Sequence, residues 1–286
     1  MKLRVSSLFY VVLISFLSCM PVEESDLLNE FRYSNTQNVP NISIHRGGKG
    51  LVNYPENCLE TMMYLHKQME AIFEIDIAQT RDGILVLMHD NSVDRTTDGS
   101  GLLKNKTLEE LSQLYLVDDY GIKTSFKIPL LREVLEWAKL EDVVLTLDIK
   151  RDVSLKKLIG EIRSAKAEDH CIIITYSLDQ ALEVFQKAPQ MMLSVSARNN
   201  TELDMLLDSE IPTRNMLAFT GTRLSQPELY QRLHKDDILA ILGTLGNLDR
   251  RAEARGDHLY REWAEMGVDL IATDRPLEVY QILKNR

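Results

Sequence analysis

From Asn41 onward, short runs of β-branched and other apolar residues alternate with segments whose apolar positions recur at helical spacing. Ile42–His45 reads as the first strand, and a helix follows near Asn57–Gln68. Two further runs, Ala71–Gln79 and Ile84–His89, are separated only by Thr80-Arg81-Asp82-Gly83. That link is too short for a parallel crossover, so the two runs form a hairpin and count as one position in a sheet. The alternation then becomes regular. Strands are expected at Val143–Ile149, Ile172–Tyr176, Leu193–Ser196, Leu217–Thr220, Ile238–Leu242 and Leu270–Ala272, with helices at 154–166, 179–187, 201–208, 226–234 and 253–266. Eight βα units in about 240 residues predict an α/β fold, a (β/α)8 TIM barrel over 41–286. Residues 91–128, rich in Asp, Thr and Gly with one short helix at Leu108–Leu116, are a small insertion after strand two. The competing fold is a doubly wound open sheet, which more usually has fewer strands, and no nucleotide-binding glycine fingerprint follows the first strand.

The start of the chain has a different pattern. Lys2 and Arg4 precede an apolar run, Leu8 to Leu17, too short for a stable membrane span. A basic start, a short apolar core and small residues make residues 1–18 an export signal. The run ends Phe16-Leu17-Ser18-Cys19, which resembles the bacterial lipobox. Cys19 is therefore expected to carry a lipid and become the first residue, giving an exported lipoprotein facing the periplasm or cell surface; a plain secretory peptide is the simpler alternative. Residues 19–40 are polar without a sustained apolar period, and read as a tether.

The 286 residues are 44% hydrophobic and 27% charged, with a formal net charge of −10. Loss of Lys2 and Arg4 with the signal leaves about −12, a balance that disfavours nucleic acid as a partner. The anchor alone is expected to bring the protein to a membrane. Two cysteines remain, Cys58 and Cys171. A lone pair so far apart makes no disulfide framework, and both are expected to be buried.

In a barrel of this kind, catalytic groups sit at the C-terminal ends of the strands. Strand one ends in His45-Arg46-Gly47-Gly48, strand two carries Glu74 and Asp76, and its hairpin partner ends in His89-Asp90. Strand three ends in Asp148-Ile149-Lys150, and Asp274-Arg275 follows strand eight. Glu74 and Asp76 are two apart on a strand, so both point to one face. Inward carboxylates this close repel unless a cation lies between them, and a hard divalent ion is the usual answer. If the hairpin turns near Asp82, Asp76 lies opposite Met88, which brings His89 to the same rim. Two imidazoles then flank one anionic site, as a base and an acid require. Arg46 and Lys150 supply charge for phosphate oxygens. Each feature alone has a bland explanation, such as a solvated strand-end pair; their convergence on neighbouring strands argues against that. His66, His170, His234 and His258 read as structural or surface residues. The loop Asp94–Gly101 lacks the spacing of a calcium loop and is expected to roof the site.

These residues, in this order, resemble the glycerophosphodiester phosphodiesterase family. His45-Arg46-Gly47, Pro55-Glu56-Asn57, Phe73-Glu74-Ile75-Asp76, Thr80–Gly83, Val86–Asp90, Ile128-Pro129-Leu130 and Gly267–Pro276 all match it. The resemblance implies that His45 and His89 are the acid–base pair, and that Glu74, Asp76 and a strand-three carboxylate, here Asp148, bind calcium or magnesium. It implies that Arg46 and Lys150 hold the phosphate, and it marks Glu56 and Asn247 as possible substrate contacts. The implied reaction releases glycerol 3-phosphate and an alcohol, through attack by the neighbouring glycerol hydroxyl and a cyclic phosphate. Two positions depart from the pattern. Asp148 stands where the family usually has glutamate, and Gly243–Asp249 lacks the tryptophan the family usually sets against the glycerol. The alternatives are a related phospholipase C- or D-like barrel acting on another head group, and a degenerate lipid-anchored binding protein.

Overall fold

The computed structural model describes residues 26–150 and 153–284. Its strands are β1 (Ile42–Ile44), β2 (Ile72–Gln79), β3 (Leu85–Leu87), β4 (Leu145–Ile149), β5 (Cys171–Ile174), β6 (Met192–Ser196), β7 (Met216–Phe219), β8 (Leu239–Gly243) and β9 (Leu270–Thr273). They pair in the order β1-β9-β8-β7-β6-β5-β4-β2, and β1 pairs in parallel with β2 to close the ring. The result is the TIM barrel that the alternation predicts. The remaining strand, β3, lies antiparallel on the far end of β2 and takes no barrel position. Its register sets Ile77 against Leu87, and the Met88 amide donates to the Asp76 carbonyl at 3.0 Å, the alignment expected from a turn near Asp82.

The helices are α1 (Asp26–Glu30), α2 (Leu59–His66), α3 (Leu108–Ser112), α4 (Leu131–Leu140), α5 (Leu155–Ala165), α6 (Leu178–Lys187), α7 (Asn200–Leu207), α8 (Pro227–Lys235), α9 (Asn247–Arg255), α10 (His258–Glu265) and α11 (Pro276–Leu283). Apolar faces of α4, α5, α8 and α10 pack on the outer side of the strands to form the main core. The single helix expected at 253–266 is in fact two. Gly256, at φ 115°, ends α9 in a conformation that a side chain resists, and α10 begins two residues later.

The tether expected over 19–40 does not hold for its second half. Leu27, Leu28, Phe31 and Val39 are buried against Ile72, Ile172, Met192, Leu217 and Leu270, plugging the N-terminal end of the barrel. Full burial of each such side chain is worth about 1.5–3 kcal/mol, so this segment belongs to the domain. One helical turn is too short to show a period, which is why the pattern hid it. The segment is tied down further by Asp237, which accepts from Arg32 Nε at 2.5 Å and from the Ser34 amide at 2.7 Å. The export signal and Cys19 lie outside the described residues.

The insertion has its own small core, in which Val93, Leu103, Leu111 and Leu116 pack on Val86 and Met88 of the hairpin. Its helix stops at Ser112 rather than Leu116, and a capping box between Thr107 and Glu110 starts it. Cys58 and Cys171 are buried and free, as expected. Among the described residues no helix is long and apolar enough to cross a membrane.

Candidate active site

Register decides which strand-end groups meet. Ile44 lies beside Phe73 of β2 and Thr273 of β9, so the next residue, His45, stands between Glu74 and Asp274. Across the other side of β2, Asp76 pairs directly with Asp148. Glu74, Asp76 and Asp148 offer carboxylate oxygens within 4.8 Å of one another. A cavity of about 230 Å³ opens above them at the C-terminal mouth of the barrel, lined also by His45 and His89. The sequence-predicted acid–base pair and carboxylate trio are thus brought together in one place.

Each imidazole is held by a carboxylate. His45 Nδ1 lies 2.6 Å from Asp274 Oδ1, and its Nε2 is 4.0 Å from Glu74 Oε2. His89 Nδ1 lies 2.7 Å from Asp90 Oδ1, while its Nε2 is 2.6 Å from an Arg46 terminal nitrogen. A guanidinium can only donate, so His89 Nε2 accepts and Nδ1–H donates to Asp90. That leaves a neutral ring whose cavity-side nitrogen carries the lone pair. Hydrogen bonds from Arg95 keep the Asp90 carboxyl far below the usual range, despite the opposing effect of burial. Burial also opposes ionisation of Asp274, but its hydrogen bond to His45 wins and lowers the carboxyl.

Arg46 takes a left-handed backbone, φ 52°, as do Gly47 and Gly48 after it. A side chain at Gly48 would meet Thr61 at 2.6 Å and Leu65 at 2.7 Å, so glycine there is a packing requirement. The turn aims the Arg46 amide at Glu74 Oε2, 2.7 Å away. The Arg46 guanidinium bonds Glu56 at 3.1 and 3.2 Å, and its buried Nε has no hydrogen-bond partner. A buried cationic donor left unspent suits an anion that arrives later.

The carboxylate trio is short of positive charge. Lys150 Nζ sits 2.6 Å from Asp76 and 2.7 Å from Asp148, rather than reaching into the open cavity as a phosphate ligand would. Those two anions raise its pKa against the opposing pull of burial. Burial, then the charge of Asp76, pushes the Glu74 carboxyl well above its ordinary range. The Lys150 ammonium and the Arg46 guanidinium, whose Nε is 3.9 Å from Asp76 Oδ2 but which also pairs with Glu56, face three mostly buried carboxylates. The donors are all oxygen, so the residues fit a hard divalent cation such as calcium or magnesium.

Two expected substrate contacts move elsewhere. Glu56 is 3% exposed and receives both Arg46 and Arg95, the latter at 2.7 and 3.1 Å. It fixes the two arginines and does not line the cavity; burial opposes its ionisation, but the arginines hold its pKa below the ordinary value. Asn247 begins α9 after Gly246 turns at φ 74°, and its exposed amide oxygen accepts from Arg250 at 2.9 Å. Leu245 is the residue of that loop that lines the cavity.

Several partners escaped the sequence reading. Asn57 Nδ2 donates to Asp76 Oδ2 at 2.7 Å, and the Asp76 amide donates back to Asn57 Oδ1 at 2.9 Å. The Tyr176 hydroxyl donates to Asp148 Oδ1 at 2.8 Å. Tyr176 follows a barrel strand, and that position was a usable signal. Arg95 comes from the insertion, and nothing local in its loop marks it.

Comparison with known proteins gives one consistent answer. A family model described as glycerophosphoryl diester phosphodiesterase matches residues 45–278. A glycerophosphodiester phosphodiesterase of Caldanaerobacter subterraneus is 34% identical over 161 residues, which are 53% of this chain and 64% of that protein. The match thus spans less than two thirds of that relative. The crystal structure of a glycerophosphoryl diester phosphodiesterase from Parabacteroides distasonis superposes with a TM-score of 0.82 at 31% identity, covering 91% of each chain. An Oleispira antarctica phosphodiesterase, solved with sn-glycerol 3-phosphate, shares the fold at 20% identity and a TM-score of 0.66, over 86% of this chain and 97% of its own.

Proposed function

The chain belongs to the glycerophosphoryl diester phosphodiesterase family, and from that premise we propose that it hydrolyses a glycerophosphodiester to glycerol 3-phosphate and an alcohol. The observation that carries this reading is the pairing of two carboxylate-backed imidazoles, His45–Asp274 and His89–Asp90, around one cavity floored by the acidic trio. Glu74, Asp76 and Asp148 are the residues that would hold a divalent cation, which when bound would neutralise charge on the phosphate.

The chain's own groups divide the remaining work. The unspent Nε of Arg46 takes a phosphate oxygen, and drawing the guanidinium toward the phosphate frees His89 Nε2. With its lone pair free, one imidazole accepts the proton of the glycerol 2-hydroxyl as that oxygen attacks phosphorus. The other donates a proton to the departing alcohol oxygen, so the bond from phosphorus to the alcohol breaks as the ring bond forms. Water then opens the cyclic phosphate with the roles reversed. Asp90 and Asp274 hold the rings throughout.

The test is product identity. Glycerophosphocholine, glycerophosphoethanolamine and bis(glycero)phosphate are incubated with the protein and calcium or magnesium, and glycerol 3-phosphate is assayed with its dehydrogenase. Release of the phosphorylated head group instead would indicate phospholipase C-like cleavage, and no turnover of any would defeat the reading.

We also propose export, with Cys19 as a lipid anchor, on the pattern of residues 1–19. The native protein should partition into detergent, and Cys19→Ser should release it. A wild-type protein found wholly soluble with another first residue would sink the anchor.

A further inference from the structure

A carboxylate buried behind the active cavity lines no part of it and belongs to no metal cluster. Asp249 is 3% exposed and lies in the first turn of α9. Gly246, at φ 74°, sends Asn247 outward, and the next two residues, Leu248 and Asp249, turn inward and are buried. A carboxylate in that place destabilises the fold unless hydrogen bonds offset its loss of water. Three donors do so: the Tyr260 and Thr273 hydroxyls reach Oδ1, and the Asp274 amide reaches Oδ2, each at 2.9 Å.

Two of those donors are the last residue of β9 and the residue after it. The side chain of the second, Asp274, is what holds His45 Nδ1 at 2.6 Å. Asp249 therefore grips the backbone from which the support of His45 projects. The grip is itself braced. Tyr260 is fully buried, and its hydroxyl receives Arg275 Nη1 at 3.4 Å, which Asp257 holds at 2.6 Å. Burial, then the charge of Asp249, pushes the Tyr260 phenol above its ordinary range, so it stays a donor. Thr244 closes the same corner: its amide and hydroxyl donate to the Ala272 carbonyl at 2.7 and 3.0 Å, and its carbonyl accepts the Asp249 amide at 2.8 Å. Packing α9 on the barrel alone needs no buried carboxylate, since apolar side chains of similar volume do that as well or better.

On the phosphodiesterase reading above, we propose that Asp249 is a positioning residue for His45, acting through Asp274. Its hydrogen bonds fix the turn after β9, so the Asp274 carboxylate meets Nδ1–H and the other ring nitrogen is aimed at the cavity. It touches neither the substrate space nor the carboxylate trio. In the loop where the family usually sets a tryptophan against the glycerol, this chain carries a carboxylate that serves the imidazole instead.

Asp249→Asn keeps the size of the side chain but turns an amide toward the Asp274 N–H, donor against donor. On the full chain with calcium, kcat should fall about tenfold to a hundredfold, the scale of a small misplacement of a reacting group. KM and calcium affinity should not change. Because Asp249 acts through Asp274, adding Asp249→Asn to Asp274→Asn should cost nothing further. Ring nitrogen chemical shifts of His45, read with the ring neutral, report its tautomer without turnover. The Nδ1–H form should dominate in wild type and lose that dominance in Asp249→Asn and Asp274→Asn alike. A wild-type tautomer in folded Asp249→Asn overturns the proposal whatever its rate, and so do an unchanged kcat or losses that multiply in the double variant. Should melting curves show that Asp249→Asn does not fold, Tyr260→Phe decides in its place. A smaller fall in kcat that disappears in the Asp274→Asn background supports the proposal, and no fall overturns it. If no diester is turned over at all, the parent reading fails, and the ring shifts alone decide the role of Asp249.

Discussion

Replacing His89 with alanine is expected to lower turnover by about 10²- to 10⁴-fold, the usual contribution of one positioned general acid or base. His45→Ala should cost the same order. The two rings serve the same proton transfers, so the double variant should lose less than the product of the single losses. Asp90→Asn and Asp274→Asn test the supports. In each case an amide replaces the carboxylate that receives Nδ1–H, so the ring can turn over and present the wrong nitrogen to the substrate. Their losses should be real but smaller than loss of the ring itself. Both carboxyls have pKa values below the ordinary range in the folded protein, so the stabilisation they contribute is present above about pH 4 and is lost as pH falls through the folded values. The supports are therefore ionised at any neutral assay pH. Turnover at saturating cation, with melting curves to show that each variant is folded, checks all four. Wild-type activity in either histidine variant would remove that residue from the mechanism.

The parts of this site that were legible in the sequence are those that strand geometry alone positions. Glu74 and Asp76 are on one face because a strand alternates, and the hairpin had to form because four residues cannot cross a sheet. The parts that were hidden depend on what the closed barrel brings near. Lys150 stands two residues from Asp148 along the chain, and its charge and the family resemblance suggested a phosphate ligand. Only the register of β2 with β4 shows that it lies between two carboxylates. Glu56 matched a family motif, yet its partner Arg95 lies 39 residues away in the insertion, and together they hold Arg46. Asn247 was expected at the substrate because its loop stands where the family usually sets a tryptophan against the glycerol. A single left-handed glycine, Gly246, sends it outward and leaves Leu245 facing in. The plug formed by Leu27, Leu28 and Phe31 was hidden for a different reason. Three apolar residues in one turn carry no periodicity, and their burial depends on an opening that only eight assembled strands create.

Chelation should abolish activity, and calcium or magnesium should restore it. The argument is one of charge. Three carboxylates share one rim with a single ammonium, and substrate phosphate brings further negative charge. Without a cation the phosphate is repelled, and the Glu74 carboxyl, raised first by burial and then by the charge of Asp76, holds its proton to higher pH than a free carboxyl. A cation must displace that proton, so its affinity should rise with pH through the raised Glu74 value. The sign for stability follows from the same shift. The folded metal-free protein binds this proton more tightly than the unfolded chain does, so its stability should fall as pH rises above about 4.3 and through the folded pKa. Bound cation should remove that fall, and melting curves across pH with and without calcium would show it. Glu74→Ala and Asp76→Ala should lose metal binding and catalysis together. Asp148→Glu, adding one methylene, should stay within about tenfold of wild type, because an oxygen-ligand shell of this kind is flexible. Lys150→Met removes the ammonium that a cation has to displace from Asp76 and Asp148. It should therefore bind calcium at least as tightly as wild type while losing stability in chelator, where two buried carboxylates lose their shared ammonium. Should Asp148→Ala prove fully active at limiting metal, β4 supplies no ligand and the trio is not the metal site.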